Sequence, residues 1–202
     1  NSVIRPVKVD LEAEGYALCI IDSGASHADL TAEYAAIPQE MKAVAAYFGK
    51  EVLREVSEEE VTAGLPALRK AVGDRAVLRA LHFYADDRRA VEEAAALERG
   101  DFDAFLKLVE ESGISSWTML QNIAPAGAVQ EQAVAVALAV AKKALAGRGA
   151  CRVHGGGFAG TLPALVALGM LENFRSQVEA ALGENRCHVL SIRPVGGAVI
   201  TL

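Results

Sequence analysis

Three consecutive glycines, Gly155-Gly156-Gly157, break a β-prone run at Cys151–His154 and lead into Phe158-Ala159-Gly160-Thr161. Glycine has no Cβ and enters φ > 0 without penalty. Successive N–H groups can then turn toward one point, and a ligand can approach the main chain closely, which is how loops hold phosphate. Phe158 can anchor such a loop to a core. Gly155, Gly156, Gly157, Phe158 and Gly160 are therefore the candidate phosphate-facing or nucleotide-facing residues, and no catalytic dyad stands beside them.

Other readings of this stretch lack partners. Gly155, Gly157 and Gly160 satisfy G-x-G-x-x-G, but a dinucleotide fold needs a helix directly after and an acid at a strand end about twenty residues on. Thr161-Leu162-Pro163-Ala164 opens no such helix, and Glu179 falls inside a helical pattern. His154-Gly155-Gly156-Gly157 also matches an esterase oxyanion segment, yet the G-x-S-x-G nucleophile elbow is missing. Gly113-Ile114-Ser115-Ser116 lacks the lysine of a P-loop and reads as a helix end. His27, His82 and His188 have no metal-ligand spacing, so no metal site is expected.

The elements that must position the loop follow from periodicity. Val3–Val9 and Tyr16–Ile21 read as two strands around a tight turn. Asp29–Tyr47 has helical spacing, with Gly49 as its stop and a kink or break expected near Ile37 because of Pro38. Ser57-Glu58-Glu59-Glu60 is a helix start, and Gly64 and Pro66 predict that this helix is short. Asp74–Arg99 reads as a long helix ended by Gly100, and Asp101 caps another through about Glu111. Ser112–Gln121 is polar and mixed, and Pro125-Ala126-Gly127 is a turn. Gln130–Leu145 is apolar nearly all round and should be buried on most faces. Ala150–His154 and Thr161–Leu168 read as strands, Glu172–Leu182 as an amphipathic helix, and Cys187–Ile192 and Ala198–Leu202 as strands. The segregation of strands and helices predicts an α+β fold in one compact unit.

Composition narrows the function classes. The chain has 202 residues, 52% of them hydrophobic, enough for a sizeable core. Twenty basic against twenty-six acidic residues give a net charge of −6, which argues against a nucleic-acid surface. Cys19, Cys151 and Cys187 lie in apolar runs without C-x-x-C spacing and read as buried, reduced thiols. No signal peptide is visible, and the longest apolar run, Ala133 to Ala141, is too short to span a bilayer. A cytoplasmic protein with no membrane partner is expected.

From about Tyr16 to Leu168 the chain resembles the C-terminal half of the galactokinase family of GHMP kinases. The resemblance rests on His27-Ala28-Asp29-Leu30-Thr31-Ala32-Glu33-Tyr34, on Arg79-Ala80-Leu81-His82 followed by Arg88 or Arg89, and on Gly100-Asp101-Phe102 and Glu111-Ser112. Arg152-Val153-His154-Gly155-Gly156-Gly157-Phe158-Ala159-Gly160 is similar to the family's third signature motif. It implies an antiparallel sheet packed with helices, with a ferredoxin-like core. It also implies ATP and Mg²⁺ as cofactors, galactose as substrate, and Tyr34 as a sugar contact. The glycine loop would brace a phosphate-binding segment supplied by the enzyme's own N-terminal domain. The family's Gly-Glu-His-x-Asp-Tyr segment, serine-ended nucleotide loop and catalytic Asp have no counterpart here, so no catalytic residue is assigned within this chain. An inactive fragment is expected, spanning residues 1–202 as one C-terminal domain. Two alternatives stay open: a GHMP kinase for another sugar or sugar acid, and a non-catalytic sugar or nucleotide sensor.

Overall fold

The computed structural model describes residues 6–26 and 28–192. Four strands, β1 (Tyr16–Asp22), β2 (Gly149–Cys151), β3 (Thr161–Ala167) and β4 (Cys187–Leu190), form one sheet in the order β2-β3-β1-β4, with every neighbouring pair antiparallel. Two helices, α5 (Ala133–Leu145) and α6 (Leu171–Leu182), complete a βαββαβ path of the ferredoxin-like type. Four helices are inserted between β1 and α5: α1 (Thr31–Tyr47), α2 (Glu58–Val72), α3 (Asp74–Glu98) and α4 (Phe102–Ser115). The α+β expectation and its ferredoxin-like core hold.

Alternation along the strands explains the layers. Cys19 and Ile21 point to one face, where they join Leu162, Ala164 and Val166 of β3, Leu138 and Ala141 of α5, and Phe174 and Val178 of α6. Tyr16 and Leu18 point to the other face, where α4 supplies Phe102 and Leu106 against Leu165 and Ala150. A separate core of Val44, Val61, Leu68, Val77 and Ala80 holds α1, α2 and α3 together.

Several expected boundaries move, each for a physical reason. The described part of Val3–Val9, residues 6–9, forms no strand, and residues 1–5 lie outside the described residues, as do His27 and the run Ala198–Leu202. Pro38 lies within a single helix, without the break expected there. Likewise α2 runs fifteen residues through Gly64 and Pro66. Its start is a reciprocal capping box, with Glu60 N–H donating to Ser57 Oγ at 3.1 Å and Ser57 N–H to Glu60 Oε2 at 2.9 Å. Burial of Val61 and Leu68 outweighs the proline. Around α5, Val136, Ala139 and Lys143 form an exposed stripe, so that helix is buried on fewer faces than its composition suggests.

Two of the corrections shape the loop. The strand expected to reach His154 stops at Cys151 because its partner is a proline. Arg152 N–H donates to Pro163 O at 3.4 Å, but Pro163 has no N–H to return. The ladder ends there, and residues 152–160 leave the sheet. The polar stretch Ser112–Gln121 is helical: α4 continues to Ser115, and a π-turn over Ser116–Leu120 closes with Gln121 N–H donating to Ser116 O at 2.8 Å. Polarity misleads here because Ser112, Ser115 and Ser116 are buried.

Candidate functional site

Residues 153–160 form a turn at one end of the sheet. His154, Gly155 and Gly156 are exposed, and Gly157, Phe158 and Ala159 are buried. Gly155, Gly157 and Gly160 take φ of 74°, 79° and 77°, while Phe158 sits at φ 63° despite its side chain. For a bulky residue that conformation is a real outlier, sustained only where the surroundings over-determine it. Gly156 does not need φ > 0. Its requirement is space, since a Cβ there would lie 2.6 Å from Tyr34 Cε1.

Three elements converge on this turn. From α1, the Tyr34 hydroxyl donates to Gly157 O at 3.0 Å, and its ring meets Phe158 edge-on with centroids 5.6 Å apart. Beyond the π-turn, Gln121 adopts a left-handed conformation at φ 56° and turns Asn122 inward. Asn122 O then accepts from Phe158 N–H at 2.6 Å, and Asn122 Nδ2 donates to Gly156 O at 3.4 Å. From the end of β1, Ser23 N–H and Oγ both donate to Gly160 O, at 3.1 and 2.6 Å, and Gly160 N–H returns to Ala25 O at 3.2 Å. Behind them, Glu33 of α1 accepts from Ala126 N–H at 3.0 Å and pins the 125–128 turn.

The N–H groups of Phe158, Ala159 and Gly160 are thus spent inside the protein, on Asn122 O, Gly157 O and Ala25 O. They do not face a ligand. The outward surface is the His154–Gly156 crest, and a Cβ at Gly155 would meet nothing among the described residues within 4 Å. The arrangement is a braced, solvent-facing turn whose main chain can back a phosphate or a neighbouring loop. Two cavities of about 600 and 700 Å³ are lined by other residues and do not touch it.

A polar hub fixes the strand that feeds the turn. Arg152 Nη1 donates to Ser112 Oγ, and Arg152 Nε to Val153 O at 3.0 Å. Ser112 Oγ donates in turn to Asp86 Oδ1, which also accepts from Arg89 Nη1 at 2.7 Å. Gly113 lets α4 approach, since a Cβ there would lie 2.9 Å from Arg152 Cβ. The segment expected to be a helix end is the end of α4, and it also packs against Cys151 and Arg152. His82 joins the hub through Nδ1, 2.9 Å from Ser115 Oγ, with Nε2 3.7 Å from Asp86. Burial pushes His82 below the ordinary histidine range, against the pull of Asp86.

That shift gives a pH prediction. The unfolded chain takes up the imidazole proton at a higher pH than the folded one, so stability rises with pH through the window at and just below about 6.5. The melting temperature should fall as pH drops from about 7 to 5.5, and His82→Gln should flatten that part of the curve. An unchanged slope in His82→Gln would assign the effect to other groups. Asp22, Glu60, Asp74 and Asp87, all held below the ordinary carboxyl range by hydrogen bonds, act only at lower pH.

Of the residues picked from sequence, Tyr34, Gly156, Gly157 and Phe158 meet directly, and Gly155 and Gly160 flank them. Asn122, Ser23, Arg79 and Asp86 were missed. Asn122 carries no local signal, being one more polar residue at the end of the polar, mixed stretch Ser112–Gln121. The three cysteines are free and buried, as expected. Burial pushes the Cys151 thiol up to about 12.

By sequence, the chain is similar as a class to sugar kinases. The particular similarity is to galactokinases, and specifically to their C-terminal half. The chain is 32% identical to human galactokinase over 194 residues, 96% of this chain and 46% of that protein. It is 28% identical to the Thermotoga neapolitana galactokinase over 173 residues, 86% of this chain and 45% of the relative. The solved structure of Lactococcus lactis galactokinase complexed with galactose matches 92% of this chain and 46% of its own, with a TM-score of 0.67 and 22% identity, which shows the fold. No family model matches the chain. The chain spans somewhat less than half the length of the relatives it matches. No helix among the described residues is long and apolar enough to cross a membrane.

Proposed function

We propose that this chain is the C-terminal, sugar-side domain of a galactokinase-type enzyme that phosphorylates the anomeric hydroxyl of galactose in the cytoplasm. The observation that carries the reading is the contact between Tyr34 and the glycine turn. The residue that the resemblance gives to the sugar donates its hydroxyl to Gly157 O, and its ring fills the space a Cβ at Gly156 would need. On this reading, sugar contact and phosphate-facing turn belong to one braced unit, as a transfer between them requires.

ATP with Mg²⁺ would supply the phosphoryl group, and its binding loop and the general base would come from the N-terminal half. The residues of this chain that fit a phosphate neighbour are Gly155 and Gly156, whose exposed main chain has no side chain to hinder approach. Phosphoryl transfer depends on positioning and charge dispersal more than on covalent help from the protein. The task of residues 153–160 in that scheme is to present a fixed backbone surface to the other half. Tyr34 and Asn122 hold that surface from beneath.

A coupled assay of ADP release tests the reading. The polypeptide that joins this chain to its N-terminal half should turn over galactose, and this chain alone should not. Robust galactose-dependent ADP release by the isolated chain would overturn the division of labour. Preference of the joined polypeptide for another sugar or sugar acid would keep the kinase and change the substrate. No turnover with any sugar would favour a sensor.

A further inference from the structure

We propose that Asn122 is a positioning residue for phosphoryl transfer, fixing the carbonyl of Gly156 and hence the crest of the turn. This rests on the kinase reading given above. Asn122 is 1% exposed and touches the turn at three consecutive residues. Its main-chain oxygen takes the N–H of Phe158, its Nδ2 reaches Gly156 O, and Gly157 packs so closely on it that a Cβ would lie 2.7 Å from Nδ2.

Its own placement is enforced from behind. Leu120 O, two residues earlier, accepts from Arg79 Nε at 3.0 Å. Arg79 is fully buried and donates through Nη1 to Glu40 Oε2 at 2.9 Å. Glu40 lies on α1, the helix that also carries Tyr34. The contacts close a ring: Tyr34 to Gly157, Phe158 to Asn122, Leu120 to Arg79, Arg79 to Glu40, and back along α1. A ring of that kind leaves the turn a single position.

Stability alone does not account for the amide. Asn122 Oδ1 is buried with no hydrogen-bond partner among the described residues, and the bond from Nδ2 to Gly156 O is long at 3.4 Å. A buried polar side chain with an orphaned acceptor costs stability rather than adding to it. The π-turn just before it is a departure from regular helix of the sort found at functional sites. What the side chain does contribute is direction, because it is the group that reaches the exposed glycine.

The test uses the joined polypeptide with Asn122→Ala and Asn122→Asp. Ala removes the donor, and Asp keeps the shape while setting a carboxylate against Gly156 O. Both should lower kcat about tenfold to a hundredfold, the usual effect of a small misplacement at a reacting centre. KM for galactose should stay within about twofold and the melting temperature near that of the parent. Unchanged kcat in both variants overturns the role. Loss of fold in both overturns it too, since Asn122 would then serve the domain and not the turn. Absence of galactose phosphorylation by the unmutated polypeptide would instead overturn the kinase reading, and the positioning role with it.

Discussion

Gly157→Ala should abolish the function of the turn while leaving the rest of the domain folded. Two independent penalties act at this position. The backbone sits at φ 79°, where a side chain costs about 1–2 kcal/mol. A Cβ would also overlap Asn122 O outright and crowd Cγ at 2.8 Å. The overlapped atom is main chain on a buried segment, so no flexible side chain can move aside. Relief requires the turn to separate from Asn122, which breaks the Phe158 N–H to Asn122 O bond and loosens Tyr34 from Gly157. Together these amount to about 3 kcal/mol. For a domain of this size that lowers the melting temperature by about 6–12 °C. Kinase activity of the joined polypeptide should fall by about a hundredfold or more, because the crest loses its fixed position. For the melting temperature, Gly155→Ala is the matched control, with comparable φ but no neighbour among the described residues within 4 Å of the added carbon. Equal activity in Gly157→Ala and the parent would show that the turn only closes the chain.

Much of this site was legible before the structure, and the reasons are specific. Gly155, Gly156 and Gly157 stand out because nothing but backbone geometry or close approach explains three glycines in a row. They serve different needs, however. Gly155 and Gly157 supply positive φ, and Gly156 supplies room for the Tyr34 ring. Sequence shows the glycine and not the reason for it. The expectation that successive N–H groups turn toward a ligand fails at Phe158 and Gly160 for the same cause, since their hydrogen-bond partners at Asn122 and Ala25 lie about 35 and 135 residues away along the chain.

Helix ends written in local chemistry were readable, such as Ser57 with Glu60, Asp101 before α4, and Gly100 after α3. Those decided by tertiary burial were not. Pro38 and Pro66 carry a strong local signal for a break, yet helices run through both because their apolar faces are needed in the α1–α2–α3 core. The early end of β2 reverses that lesson. It depends on Pro163, a residue of the partner strand, and no inspection of Cys151–His154 alone could find it.

Arg79→Ala carries the second large effect, and it reaches the same turn through the fold. Arg79 is a fully buried guanidinium at the junction of α1, α3 and the π-turn. Its removal leaves Leu120 O without its donor and opens a cavity where three elements meet. Glu40 loses one partner but keeps Arg75, whose Nη2 lies 2.5 Å from Oε1, so the carboxylate is not stranded. The expected loss is therefore near the lower end for a broken buried pair, about 3 kcal/mol. Urea denaturation and thermal melting should both report it, with a fall of about 6–12 °C. Arg79→Met separates packing from polarity, since it fills most of the volume and still leaves Leu120 O unpaired. If Met restored the melting temperature but not kcat, the guanidinium would be needed for the direction of the π-turn and hence for Asn122. If Ala itself melted within about 2 °C of the parent, the ring of contacts through α1 would be dispensable, and the rigidity assigned to the turn would have to come from Ser23 and the sheet end alone.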